Sequence, residues 1–137
     1  MNRTEQIEFQ IKAIELLDSS ISAPDKPFSG NRLFQFDISV EHRISLEKRL
    51  IKVICSVTVH DESKETRFGN IRTSCTYEIQ DLPKYYNKKE KRFDLPEQII
   101  TSLNTISIST TRGVMFSFFR GTFLHNAVLP VINPKEF

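Results

Sequence analysis

Leu50-Ile51-Lys52-Val53-Ile54-Cys55-Ser56-Val57-Thr58-Val59-His60 is the stretch on which the fold class turns. Ile51, Val53, Cys55, Val57 and Val59 fall at every second position, the period of a strand with one apolar face. The same period recurs on both sides. Phe34, Phe36, Ile38 and Val40 alternate with Gln35, Asp37, Ser39 and Glu41 before it; Ile71, Thr73, Cys75, Tyr77 and Ile79 alternate with Arg72, Ser74, Thr76, Glu78 and Gln80 after it. The links are short, Asp61 to Thr66 being a charged turn, and short links favour antiparallel pairing. Further out, Ile7, Phe9, Ile11 and Ala13 alternate with Glu8, Gln10 and Lys12. The alternation slips at Ile14, with Leu16 following, which predicts a bulge or a change of face. The next link, Ser19 to Arg32, holds Pro24, Pro27 and Gly30. It is longer than the ~4–6 residues of most connections, as a functional or crossover loop would be.

After the fourth strand the period changes. Asp81 to Asp94 reads as a polar loop. Pro96 suits the first turn of a helix, with Asp94 near the cap. Ile99, Ile100, Leu103 and Ile106 follow at helical spacing, and the pattern continues from Ser107 to Phe119 through Val114, Met115, Phe118 and Phe119. Gly113 lies inside it, where glycine costs ~1 kcal/mol relative to alanine, so a closely packed neighbour is expected there. From Gly121 to Phe137 the chain is irregular. The expected architecture is α+β, four strands followed by two helices, in one domain of 137 residues.

Composition narrows the function. Eleven Phe and no Trp bring much apolar area without a polar handle, so they belong to a core, an interface or a groove. The net charge is +2. The densest basic cluster, Lys84, Lys88, Lys89, Lys91 and Arg92, is broken by Glu90 and Asp94, which is a solvated loop rather than the one-signed stripe of a nucleic-acid binder. Cys55 and Cys75 sit in apolar alternating runs, where thiols act as small core hydrophobes. Met1 to Glu5 is polar and lacks an apolar signal segment. No run reaches the ~18 apolar residues of a membrane helix. A cytoplasmic protein without membrane insertion is expected.

Chemistry is hard to find. His42, His60 and His125 lie in different elements, at no metal-ligand spacing. The cysteines lack the CxxC spacing of zinc or redox sites. GxSxG, P-loop and HExxH motifs are absent. The hydroxyls from Thr101 to Thr111 suit a polar helix face. Asp94, Glu97 and Arg112 suit a helix macrodipole better than a site. The expectation is a protein that is not an enzyme and needs no metal or cofactor.

Arg120-Gly121-Thr122-Phe123, followed by Pro130-Val131, resembles the C-terminal end of SecB-type protein-export chaperones in sequence and spacing. Phe9-Gln10-Ile11-Lys12 and Ile21-Ser22-Ala23-Pro24 resemble that family's first strand and the start of its crossover loop. The middle of the chain is similar in pattern rather than identity. The resemblance implies a SecB-like fold, a four-stranded antiparallel sheet packed against helices, and a homotetramer built as a dimer of dimers. It also implies an ATP-independent holdase that takes unfolded preproteins into long apolar grooves and passes them to the translocase motor. Leu124-His125-Asn126 stands where proline is common in the family, and the chain ends at Phe137 without the further helix and acidic tail that dock on the motor. Client holding is therefore expected, and whether the partner is the translocase motor or an antitoxin is left open. A SecB-like chaperone serving a toxin–antitoxin pair by protecting the antitoxin is the alternative within the family. A non-chaperone ligand-binding or scaffold protein is the alternative outside it.

Client binding by apolar surface points to Phe28, Leu33 and Phe34 around the crossover, and to Phe123, Leu124 and Phe137 near the chain end. A small domain with this much apolar surface is expected to associate, as a tetramer or at least a dimer. The expected contacts are Ile71, Thr73 and Cys75 of the fourth strand with Ile106, Met115 and Phe119 of the helix.

Overall fold

A computed structural model describes residues 8–23 and 33–133. Phe28 and Phe137 lie outside the described residues. The strands are β1 (Phe9–Ile21), β2 (Gln35–Ser45), β3 (Leu50–His60) and β4 (Arg67–Ile79). They form one antiparallel sheet in the order β1-β4-β3-β2. Strands β2 to β4 are a meander, as their short links require, and the long first link carries the chain across so that β1 pairs with β4. Both β1 and β4 extend beyond the sequence reading: β1 runs through Ser19 to Ile21, and β4 begins at Arg67.

The slip at Ile14 corresponds to register shifts between Ile11 and Ala13 and between Leu16 and Asp18. Their effect is on facing. Ile11, Ile14, Leu16, Ser19 and Ile21 stand opposite Tyr77, Cys75, Thr73, Ile71 and Gly69, so the displaced residues keep to one side of the sheet. Strict alternation would have sent Ile14 and Leu16 to the other.

The expected pair of helices is one. Helix α1 runs unbroken from Glu97 to Phe119, 23 residues. The hydroxyl-rich middle does not interrupt it, because the side chains donate back into the helix. Ser102 Oγ bonds the Gln98 carbonyl at 3.0 Å, and Thr105, Thr110 and Thr111 bond the carbonyls of Thr101, Ile106 and Ser107 at 2.8, 2.8 and 2.7 Å. Pro96 is the N-cap rather than the first helical residue, and Asp94 pairs with Arg92 at 3.0 Å instead of capping. The loop from Asp81 to Asp94 also has more order than its polarity suggested. A 3-10 turn, Leu82–Tyr85, leads into a two-stranded ribbon of β5 (Tyr86–Asn87) and β6 (Arg92–Phe93), closed by the ring contact of Tyr86 and Phe93 at 4.9 Å. No helix is long and apolar enough to cross a membrane.

Helix α1 lies over the two central strands. Beneath it Ile51, Val53, Cys55, Val57 and Val59 of β3 and Ile71, Cys75, Tyr77 and Ile79 of β4 are buried, each such large side chain contributing about 1.5–3 kcal/mol. A polar seam runs through this layer. Thr111 gives its hydroxyl proton to Ser107, so the 2.8 Å contact with Thr73 Oγ1 makes Thr73 the donor. The Tyr77 hydroxyl lies 2.7 Å from Ser107 Oγ and 3.3 Å from the Leu103 carbonyl. Both cysteines are free thiols inside the core, and burial pushes the Cys55 thiol up. Beyond α1, Gly121 turns the chain back with φ +79°. Leu124, Ala127 and Leu129 enter the core. Arg112 straps this return segment, its Nε donating to the Leu129 carbonyl at 2.8 Å and its Nη2 to that of Pro130 at 2.9 Å.

Candidate functional site

Because α1 covers β3 and β4, the apolar face of β1 is left over. Ile14 and Leu16 are 51% and 50% exposed, although they point to the same side as the buried core. Ile11 and Leu17 are exposed as well. Between β1 and α1 runs an open groove of about 570 Å³, with Ile14 and Leu16 on one wall and Val114, Ser117 and Phe118 on the other. Gly113 opens onto it. The expected tight neighbour is not among the described residues, since a Cβ built there would meet nothing of them within 4 Å. Among the described residues β1 pairs only with β4, so its outer edge is available to an added strand.

The groove is mostly hydrocarbon, with hydroxyls from Thr110 and Ser117. The histidines lie elsewhere and apart. His42 Nε2 lies 2.7 Å from Asn104 Oδ1, and His125 Nδ1 lies 2.9 Å from the Thr122 carbonyl. His60 Nε2 is 2.9 Å from Asp37, whose other oxygen takes Lys64 at 3.1 Å. The Lys64 hydrogen bond, assisted by the nearby His60, holds the Asp37 carboxyl below its usual range. Among the described residues no three His, Cys, Asp or Glu side chains gather as a metal site.

The residues singled out from sequence divide sharply. Phe34 and Phe123 meet the buried Phe68 edge-on, at ring-centre distances of 6.2 and 5.7 Å, and are half-buried. Leu33, beside them, is 65% exposed. Leu124 is wholly buried in the same cluster, so its place is structural. Ile71, Thr73, Cys75, Met115 and Phe119 are covered by the chain's own sheet and helix, and Ile106 is half-buried. Exposed apolar side chains that the sequence reading did not single out are Ile11, Ile14, Leu16 and Leu17 on β1 and Phe116 on the helix, in addition to Leu33, which it did. The slip in β1 was their signal. What pattern alone could not convey was that β1 sits at the edge, beyond the reach of α1.

No family model and no curated protein matches the chain. Its structure is similar to that of a SecB-like chaperone of Mycobacterium tuberculosis, solved in complex with a ChAD peptide from the HigA1 antitoxin. The TM-score is 0.57 at 10% identity, over 90% of this chain and 83% of that one. The fold is SecB-like.

Proposed function

We propose that this protein is a holding chaperone that keeps an exposed apolar segment of another polypeptide from aggregating, with an antitoxin as its client. The observation that carries the holding function is the open apolar groove between β1 and α1, beside a strand edge that no described residue pairs. An extended segment there would add main-chain hydrogen bonds to β1 while burying alternate side chains against Ile14, Leu16 and Phe118. The antitoxin assignment is favoured over general preprotein export by the similar structure, whose partner is an antitoxin peptide.

The proposal includes a homo-oligomer. Phe116 of the helix, 57% exposed and not part of the groove lining, offers apolar surface to a second copy of the chain. Light scattering at micromolar concentration is expected to give a multiple of 15.9 kDa; the monomer mass would overturn this part.

Suppression of light scattering from a reduced, unfolded test protein checks the holding function. Leu16→Ser with Ile14→Ser should weaken holding while the fold stands, since both side chains are already half-exposed. Undiminished holding by the folded double variant would remove the groove from the mechanism. Offered an antitoxin and a signal-bearing preprotein at equal concentration, the protein should protect the antitoxin from aggregation first. The reverse order would reinstate export.

A further inference from the structure

The sheet face turned away from α1 carries a charge arrangement that the apolar groove does not use. Arg43 of β2 stands directly opposite Lys52 of β3, and Lys52 opposite Thr76 of β4. Like charges directly across an antiparallel pair are destabilising. Little nearby relieves this one. Glu41 takes Arg43 at 3.2 Å but also lies 3.8 Å from Arg72, so one carboxylate serves two guanidinium groups. Glu78 is engaged by Lys12 and Gln80. Among the described residues no carboxylate pairs with Lys48 or Lys52. The three cations converge on a cleft of about 250 Å³, lined by Arg43, Ser45, Lys48, Leu50, Lys52 and Thr76.

We propose that this cleft at the β2–β3 hairpin end of the sheet is a docking site for an acidic segment of a partner polypeptide. The occupant follows from charge and size. Arg43 is already paired with Glu41, but the ammonium groups of Lys48 and Lys52, which no described carboxylate pairs, call with the hydroxyls of Ser45 and Thr76 for oxyanions, and Leu50 offers hydrocarbon to the side chain bearing them. The cleft is short, Glu41 pairs with its Arg43 and Glu78 stands opposite its Leu50, which disfavours the continuous polyanion of a nucleic-acid backbone. The site lies on the opposite sheet face from the apolar groove, so a client with an apolar run and a nearby acidic run would use both. The inference deepens the holding function and rests on it for the nature of the partner.

Fluorescence anisotropy with two synthetic peptides tests it. They share one apolar core and differ only in flanks of Asp and Glu or of Asn and Gln. Exposed ion pairs of this kind are each modest, so the acidic peptide should bind about three- to tenfold more tightly at low salt. The preference should vanish near 0.5 M salt, where the screening length is only about 4 Å. The Lys48→Gln, Lys52→Thr variant should lose the preference, retain the neutral peptide and unfold at no lower denaturant concentration than the wild type, because a repulsive pair has been removed. Equal affinity for the two peptides overturns this inference and leaves the holding function standing; failure of both peptides to bind overturns both. A preference that survives the double substitution overturns the location. Tighter binding of duplex DNA than of the acidic peptide, lost in the same variant, overturns the choice of partner.

Discussion

Gly113 has no side chain in a helix that would be steadier with one, and open space beside it. Gly113→Ala should therefore raise stability by about 1 kcal/mol in urea unfolding, the usual helix gain, with no steric charge against it. Gly113→Leu would instead fill the groove, and aggregation suppression should fall although the protein remains folded. Lys91, at the tip of the β5–β6 ribbon, has φ 51°, a left-handed conformation that glycine adopts without strain. Lys91→Gly should gain about 0.5–1 kcal/mol in the same measurement, strain relief outweighing glycine's greater entropy loss. Asp37 gives a pH dependence whose sign is settled by its partners. Its folded pKa lies below the ordinary 3.8, so its contribution is present above that value and is lost as pH falls through the lower, folded one. Asp37→Asn should flatten the acid limb of the stability curve below about pH 4, as read from thermal melts across pH. Its pairing with His60 follows from the register of Gln35 with His60 and was invisible while the two residues were read as separate strands.

Helix α1 is held to the sheet by hydrocarbon and by the hydroxyl seam, and the seam makes its seating specific. Thr111→Val leaves the buried Thr73 hydroxyl without its acceptor and should cost about 1–3 kcal/mol. Adding Thr73→Val should recover part of that loss, since two matched apolar groups leave no orphan. A double-mutant cycle in equilibrium unfolding reads the coupling, and additive losses would mean that the two hydroxyls act independently. The strap from Arg112 to the carbonyls of Leu129 and Pro130 is the second tie at this scale. Arg112→Ala should speed amide hydrogen exchange over residues 127–132 well beyond any change in the sheet. At the level of elements the sequence was a good guide. The strand periods and the helical run from Ile99 to Phe119 were visible in side-chain alternation, which burial imposes directly. Two helices were expected there and one is found, its serines and threonines returning hydrogen bonds to their own helix.

For the whole molecule, the decisive relation is between a four-strand sheet and one helix, which covers two strands and not four. The uncovered share, β1 with Ile11, Ile14, Leu16 and Leu17, is apolar surface that the chain alone does not bury. Under the proposed function this is the surface that a client covers. The positively charged cleft lies on the other face, so the sheet separates an apolar contact from an electrostatic one. Salt should accordingly weaken acidic clients selectively and leave purely apolar ones nearly unaffected.

Alternation in Leu50–His60 and its neighbours determined, by itself, the strands and their buried faces, because a side chain's facing depends only on its place in the strand. The end motif Arg120-Gly121-Thr122-Phe123 pointed to the SecB-like fold through resemblance. The tertiary structure alone decided which apolar residues are left outside. Leu124 and Leu16 are the same kind of side chain, one wholly buried and the other half-exposed. The difference lies in what packs above each: the sheet and return segment enclose Leu124, whereas α1 ends its coverage short of β1. That depends on strand order and helix position, which are relations between distant parts of the chain that no local pattern records.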